Sequence, residues 1–174
     1  MSEKNKTMSN STESEFVITR VFNAPMDLVW KAHTEPERLK QWWGPKEFKM
    51  LVATVDLRPG GMFHYGMESP DGHKMWGRFV YREIVPQTKL VIVVSFSDEK
   101  GGITRHPMAA SWPLEILNTM TLSEQNGKTT MVIKGGPINA TEEEYNTYNS
   151  AFEGMNQGFK GTYDQLDEYL LTQK

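Results

Sequence analysis

Apolar and polar residues alternate along "FVITRVF", residues 16–22, in a run rich in β-branched side chains. A period of two with that composition predicts a strand with one buried face. The period then changes. Pro25 opens "PMDLVWKAH", in which Leu28, Val29 and Ala32 gather on one helical face and proline takes the first helical position. Thr34 and Glu37 flank Pro36 in a capping-box pattern, which predicts a second short helix ending at Gly44-Pro45.

From Phe48 to Lys134 the period of two returns. "FKMLVATVD", "MFHYGM", "HKMWGRFVYREIV", "KLVIVVSF", "LEILNTMTL" and "KTTMVIK" read as further strands. "RPGG", "SPDG" and Asn126-Gly127 supply turns between them, the last a strong two-residue hairpin signal. Strands joined so tightly predict an antiparallel meander. The closing stretch is helical. Thr141 and Glu144 form a second capping box, and Tyr145, Tyr148, Phe152, Met155, Phe159, Tyr163, Leu166 and Leu170 recur at steps of three and four. At about 30 residues such a helix would run about 45 Å, and its apolar stripe needs the sheet to cover it. The expected fold is α+β: a curved antiparallel meander of about six to seven strands around one long C-terminal helix, with two short helices after the first strand.

Composition works mainly by exclusion. Lys and Arg number 19 against 22 Asp and Glu, a net charge of -3, and no basic stripe stands out, so neither nucleic acid nor a membrane surface is an expected partner. No apolar run is long enough to span a bilayer. With no Cys there is no disulfide, no thiolate chemistry and no cysteine-built zinc site, which suits a reducing cytoplasm, the expected location. "MSEKNKTMSNSTESE" lacks the apolar core of a signal peptide. Residues 1–14 are expected to be a disordered tail and residues 15–174 one domain.

Candidate chemistry is sparse. His33, His64, His73 and His106 show no metal-ligand spacing and read as scattered surface or loop residues. Neither a nucleophile elbow nor a P-loop is present, so no catalytic residue, metal or cofactor is assigned. Aromatic residues carry more information. Phe63, Tyr65 and Met67 share one strand face, as do Gly77, Phe79 and Tyr81, and both faces could meet Phe152, Met155 and Phe159 of the helix. Such a set is either a close-packed core or a pocket wall, and the tyrosine hydroxyls favour the second by asking for partners. Asn118 puts an amide in the apolar row of Ile116, Met120 and Leu122, to be bonded by a loop backbone, a trapped water or a ligand. Gly154, Gly158 and Gly161 lie together opposite the apolar stripe, through either close approach of a second backbone or simple tolerance. Trp42 and Trp43 cannot share a face, so if Trp42 is core, Trp43 either roofs a cavity mouth, with Trp112 and His106 of "RHPMAASWP" as the facing lip, or lies over the sheet edge as a surface indole.

"FNAPMDLVWKAHTEPERLKQWWGP", "DLRPGGMFHYGMESPDG", "GRFVYREIVPQTKLV" and "EGMNQGFKGTYDQLDEYL" occur in that order. Together they resemble the bacterial single-domain homologues of the activator of the ninety-kilodalton heat-shock protein ATPase. That family sits in the START-like, or SRPBCC, helix-grip superfamily, with lipid-transfer domains, pollen allergens and aromatic polyketide cyclases. The resemblance implies an apolar cavity between sheet and helix and brings no shared catalytic residue. Phe159 stands where the family usually has Trp, which leaves a smaller side chain facing the interior. The eukaryotic activator adds an N-terminal domain that docks on the chaperone, and no such domain is expected within these 174 residues.

The leading expectation is therefore a protein that binds a small apolar or aromatic molecule, using Trp43, Phe63, Tyr65, Phe79, Tyr81, His106, Trp112, Asn118, Phe152, Met155 and Phe159. Two rivals stand behind it: a cyclase- or hydrolase-like enzyme using Tyr65, Tyr81 or His106 in the same cavity, and a stress-response protein whose partner is a chaperone. A monomer or weak homodimer is expected.

Overall fold

The computed structural model describes residues 15–173; the expected N-terminal tail lies outside them. The alternation over residues 16–22 becomes β1 (Phe16–Phe22), and α1 (Met26–Thr34) follows it. Pro25 sits one place earlier than its sequence position suggests. It is the extended N-cap residue, and its carbonyl accepts from the amides of Leu28 and Val29. The capping box around Pro36 does not form. Thr34 is still part of α1 and donates its hydroxyl to the Trp30 carbonyl at 2.9 Å, so Glu35 becomes the N-cap of α2 (Pro36–Trp42) without a side-chain bond.

All seven anticipated strands are present: β1, β2 (Lys49–Val55), β3 (Met62–Glu68), β4 (Lys74–Val85), β5 (Lys89–Ser97), β7 (Ile116–Gln125) and β8 (Lys128–Pro137). A two-residue β6 (Ile103–Thr104), in the connection between β5 and β7, pairs with β5 and makes the eighth. The sheet is antiparallel in the order β1-β8-β7-β5-β4-β3-β2. From β2 onward each strand thus lies beside the next, apart from β6, which hangs on β5 while β7 pairs on, and α1 and α2 carry the chain from β1 at one edge to β2 at the other. The hairpin between β7 and β8 has Asn126 at φ 56° and Gly127 at φ 78°, the left-handed pair that a type I′ turn needs.

Register lines up the inward face. Phe63 opposes Phe79, which opposes Val94, which opposes Ile116. One row along, Tyr81 opposes Ile92, and Ile92 opposes Asn118. The "RPGG" turn contributes here, because Gly60 donates to the Tyr81 carbonyl at 2.8 Å and Tyr81 donates to the Gly61 carbonyl at 2.9 Å. These bonds hold Tyr81 beside the register shift that separates it from Glu83, a bulge that bends β4.

The terminal helix is not continuous. It divides into α3 (Glu142–Ser150) and α4 (Phe152–Leu171), with Ala151 between them at φ -101° and ψ 5°. The Ala151 amide bonds the Tyr148 carbonyl three residues back, and Thr147 and Ser150 bond backbone carbonyls of the same turn. Hydroxyls that back-bond in this way loosen and bend a helix. At 20 residues α4 runs roughly 30 Å, two-thirds of the expected length. The capping box of Thr141 and Glu144 forms as expected.

The apolar stripe divides between two clusters within α4 itself, and Phe159 touches both. Phe159, Tyr163, Leu166 and Leu170 join the main core with Trp42, Phe63, Tyr81 and Met131, whereas Tyr148, Phe152 and Met155 pack with Phe16, Ile116 and Trp112. Arg20 of β1 reaches α4, its guanidinium 2.6 Å from Asp164 and 2.5 Å from Asp167. Gly154, Gly158 and Gly161 are exposed, and nothing in the described chain stands within 4 Å of where a Cβ would lie. No helix among the described residues is long and apolar enough to cross a membrane.

Candidate functional site

Main-core packing is incomplete on the helix side of the sheet. A space of about 160 Å³ lies between α4 and the concave face of the sheet. Of the residues expected there, Trp43, Tyr65, Phe79, Tyr81, Asn118 and Phe159 line it. Phe63 stands outside the lining, 1% exposed, with its ring 5.2 Å from those of Tyr65 and Phe79.

Phe152, Met155, His106 and Trp112 are elsewhere. Phe152 and Met155, in the first turn of α4, belong to the second cluster, where Phe152 meets Phe16 edge-on at 5.2 Å. His106 lies 4.6 Å from the Phe96 ring and 6.1 Å from Trp112, which in turn packs on Tyr148 at 5.6 Å. The expected lip facing Trp43 is instead the flank of that cluster.

Trp43 owes its place to the end of α2. It is the C-cap residue, in extended conformation at φ -73° and ψ 136°, and its amide still bonds the Leu39 carbonyl. Turned out of the helix, the indole packs edge-on against Phe63, Tyr65 and Phe79 at 6.3, 5.9 and 5.3 Å. Trp42 stays on the helix and donates its indole N–H to the Ala32 carbonyl at 3.0 Å. The Trp43 N–H is buried without a hydrogen-bond partner among the described residues.

Glycine shapes the opposite wall. Tyr65 lies across Gly77 on the neighbouring strand, where a Cβ would collide with the tyrosine ring and hydroxyl. Asn118 lies over Gly135 in the same manner. Burial pushes the Tyr65 phenol up to about 12, and the nearby Trp43 N–H, too poorly placed for a true hydrogen bond, offsets part of that. Tyr81 and Tyr163 are raised further by the same loss of water. These phenols are neutral wall groups.

Residues missed from the sequence complete the lining: His33, Leu39, Leu90, Ile92, Val94, Met120, Ile133 and Tyr163. Leu90, Ile92 and Val94 follow the period of two along β5, so their face was legible once Tyr81 was placed opposite Ile92. His33 is the instructive case, because it follows buried Val29 by one helical turn and shares its face. Read as a scattered surface residue, it is in fact part of the cavity wall, its ring between Trp42 and Tyr163 at 5.1 and 5.8 Å. Some of its surface reaches the cavity, but the imidazole has lost its water, and desolvation brings it down to about 4 despite the bond to the Val29 carbonyl.

The model for the family described as "Activator of Hsp90 ATPase homolog 1-like protein" matches residues 23–171. The chain belongs to this family. No curated protein matches the chain. Among solved structures it is similar to a protein from Nitrosomonas europaea, at 25% identity and a TM-score of 0.73 over 91% of this chain and 95% of that one. A protein from Arthrobacter aurescens gives 27% identity and a TM-score of 0.73, over 91% of this chain and 86% of the other. The fold alone is shared with the AHSA1 protein of Silicibacter pomeroyi, at 13% identity and a TM-score of 0.68, over 92% and 99% of the two chains. Like other members of this activator-homologue family, the chain has the helix-grip architecture, a ligand-binding type of fold.

Chemically, the wall offers apolar contact with a few polar atoms. His33, the one lining imidazole, makes its hydrogen bond to a backbone carbonyl rather than to a hydroxyl or carboxylate it could activate.

Proposed function

We propose that this protein binds a single-ring aromatic, or an apolar molecule of similar size, between α4 and the sheet. The observation that carries this reading is the apolar-walled space of about 160 Å³. An engineered apolar cavity of about 150 Å³ stays dry and accepts benzene, so an unfilled space of this size suits one ring. Pockets for drug-sized ligands run roughly 300–1,000 Å³. A lipid or a multi-ring polyketide would need the helix to lift, whereas one ring fits the wall as it stands. Burying about 200 Å² of ligand surface yields on the order of 5 kcal/mol before ordering costs, an affinity near the millimolar range.

Thermal unfolding with benzene, toluene, phenol and a long-chain fatty acid tests the reading. The single-ring compounds should raise the transition temperature in proportion to the logarithm of their concentration, and the fatty acid should not. No stabilisation by any ring compound up to its solubility overturns it.

A further inference from the structure

β1 is a free edge of the sheet. β8 pairs with it on one side, in unbroken register from Phe16 opposite Gly135 to Phe22 opposite Thr129, and no strand among the described residues pairs with it on the other. Its side chains alternate. Phe16, Arg20 and Phe22 turn inward to α4. Val17, Thr19 and Val21 stand in a row on the outer face, all exposed, Val17 at 48% and Val21 at 55%.

Edge strands are ordinarily blunted by a charge, a proline, a bulge or a cover, because their unpaired N–H and C=O groups invite another strand. The opposite edge, β2, has three such devices. Lys49 begins it, its register shifts between Met50 and Val52, and α2 packs against it. Neither an outward charge, a proline nor a bulge guards β1. Its one charged side chain, Arg20, is turned inward and neutralised by Asp164 and Asp167. An open groove of about 280 Å³ separates α4 from Ile18, Thr19 and Arg20, so the helix stands back from this flank.

We propose that β1 pairs antiparallel with β1 of a second copy of this chain, about a two-fold axis through Thr19. Thr19 is the middle residue of Phe16–Phe22, so this register engages the whole strand. It sets Val17 against the partner's Val21 and Val21 against the partner's Val17, covering apolar surface on both sides of the axis. The outer row carries no charge, so two copies meet without repulsion, and an acidic or basic peptide finds no counter-charge there. A seam of one short strand is a small interface, and the dimer should come and go with concentration rather than be permanent.

Sedimentation of the full chain over a range of concentrations, with single-cysteine variants beside it, tests the pairing. The wild type should pass from monomer to dimer as concentration rises. Thr19→Lys sets two like charges opposite each other at an exposed site and should weaken the dimer by about fivefold or more, with thermal unfolding of the monomer unchanged. Directly opposed residues have Cα atoms about 4.5–5.5 Å apart, within the span of a disulfide. The chain has no Cys of its own, so under a mild oxidant Thr19→Cys should give a covalent dimer. Val17→Cys should not, because Val17 lies about 14 Å along the seam from the partner's Val17. A mixture of Val17→Cys and Val21→Cys should cross-link again. A wild type that stays monomeric at its highest soluble concentration overturns the proposal. So does a dimer indifferent to Thr19→Lys, or cross-linking of Val17→Cys as fast as that of Thr19→Cys. Dimerisation seen only after residues 1–14 are removed would make that segment the occupant of the edge, and overturns the assignment to a second copy.

Discussion

Trp42 and Trp43 hold their rings 5.6 Å apart with planes 86° from parallel. Adjacent residues cannot share a helical face, and here the helix ends between them. Trp42 is 1% exposed and bonded to the Ala32 carbonyl, while Trp43, in extended backbone, lines the cavity. One indole anchors α2 and the other meets the space beside α4.

Trp43 should therefore report occupancy. Toluene binding should change tryptophan emission in the wild type and equally in Trp112→Phe, whose indole lies in the second cluster. In Trp43→Phe most of the change should vanish. If Trp112→Phe abolishes the response instead, the guest sits elsewhere.

Gly77→Ala should deform the cavity wall. The new methyl would occupy the place of the Tyr65 ring, which has to rotate away from the sheet. Overpacking of this kind costs about 1–3 kcal/mol, and toluene should bind more weakly because one wall has moved. Urea unfolding and calorimetry measure the two effects; wild-type values for both would mean that Tyr65 has room to yield.

Stability should fall in mild acid through His33. Its folded pKa of about 4 lies below the ordinary imidazole value of 6.5, so between those limits the unfolded chain binds a proton that the folded chain refuses. Stability is complete above about pH 6.5 and declines as pH drops toward 4, by an amount on the order of 3 kcal/mol. Urea unfolding from pH 7.5 to 4.5 should show a shallower decline for His33→Phe than for the wild type. Parallel curves would mean that the imidazole regains water or a partner as it charges.

Phe159→Trp should fill part of the cavity from the helix side, since Phe159 lines it and stacks on Tyr163 with ring centroids 6.1 Å apart. Toluene affinity should drop by about tenfold or more, with a stability change smaller than about 1.5 kcal/mol because the added atoms enter unoccupied space. Unchanged affinity would place the bound ring away from Phe159.

Much of the fold was legible because its signals are local. Alternation set each strand's inward face, Asn126-Gly127 fixed a register, and the Thr141–Glu144 box started α3, each a matter of a few neighbouring residues. Where local signals compete, the pattern misled. Thr34 fits a capping box on paper, yet its hydroxyl was already engaged by Trp30. The aromatic stripe from Tyr145 to Leu170 has helical spacing throughout, yet the helix breaks at Ala151 and the stripe's residues divide between two clusters, with Phe159 touching both.

By itself, the sequence determined which residues are apolar and which face of each element they occupy, since period and propensity act over a few positions. Only the tertiary structure decided which of those faces fill their space and which leave some over. That depends on how far α4 stands from the sheet, on glycines letting Tyr65 and Asn118 lie across them, and on a helix end turning Trp43 away from Trp42. His33 marks the boundary: its helical spacing announces burial, but whether its second nitrogen finds a partner depends on residues brought together from Trp42 to Tyr163.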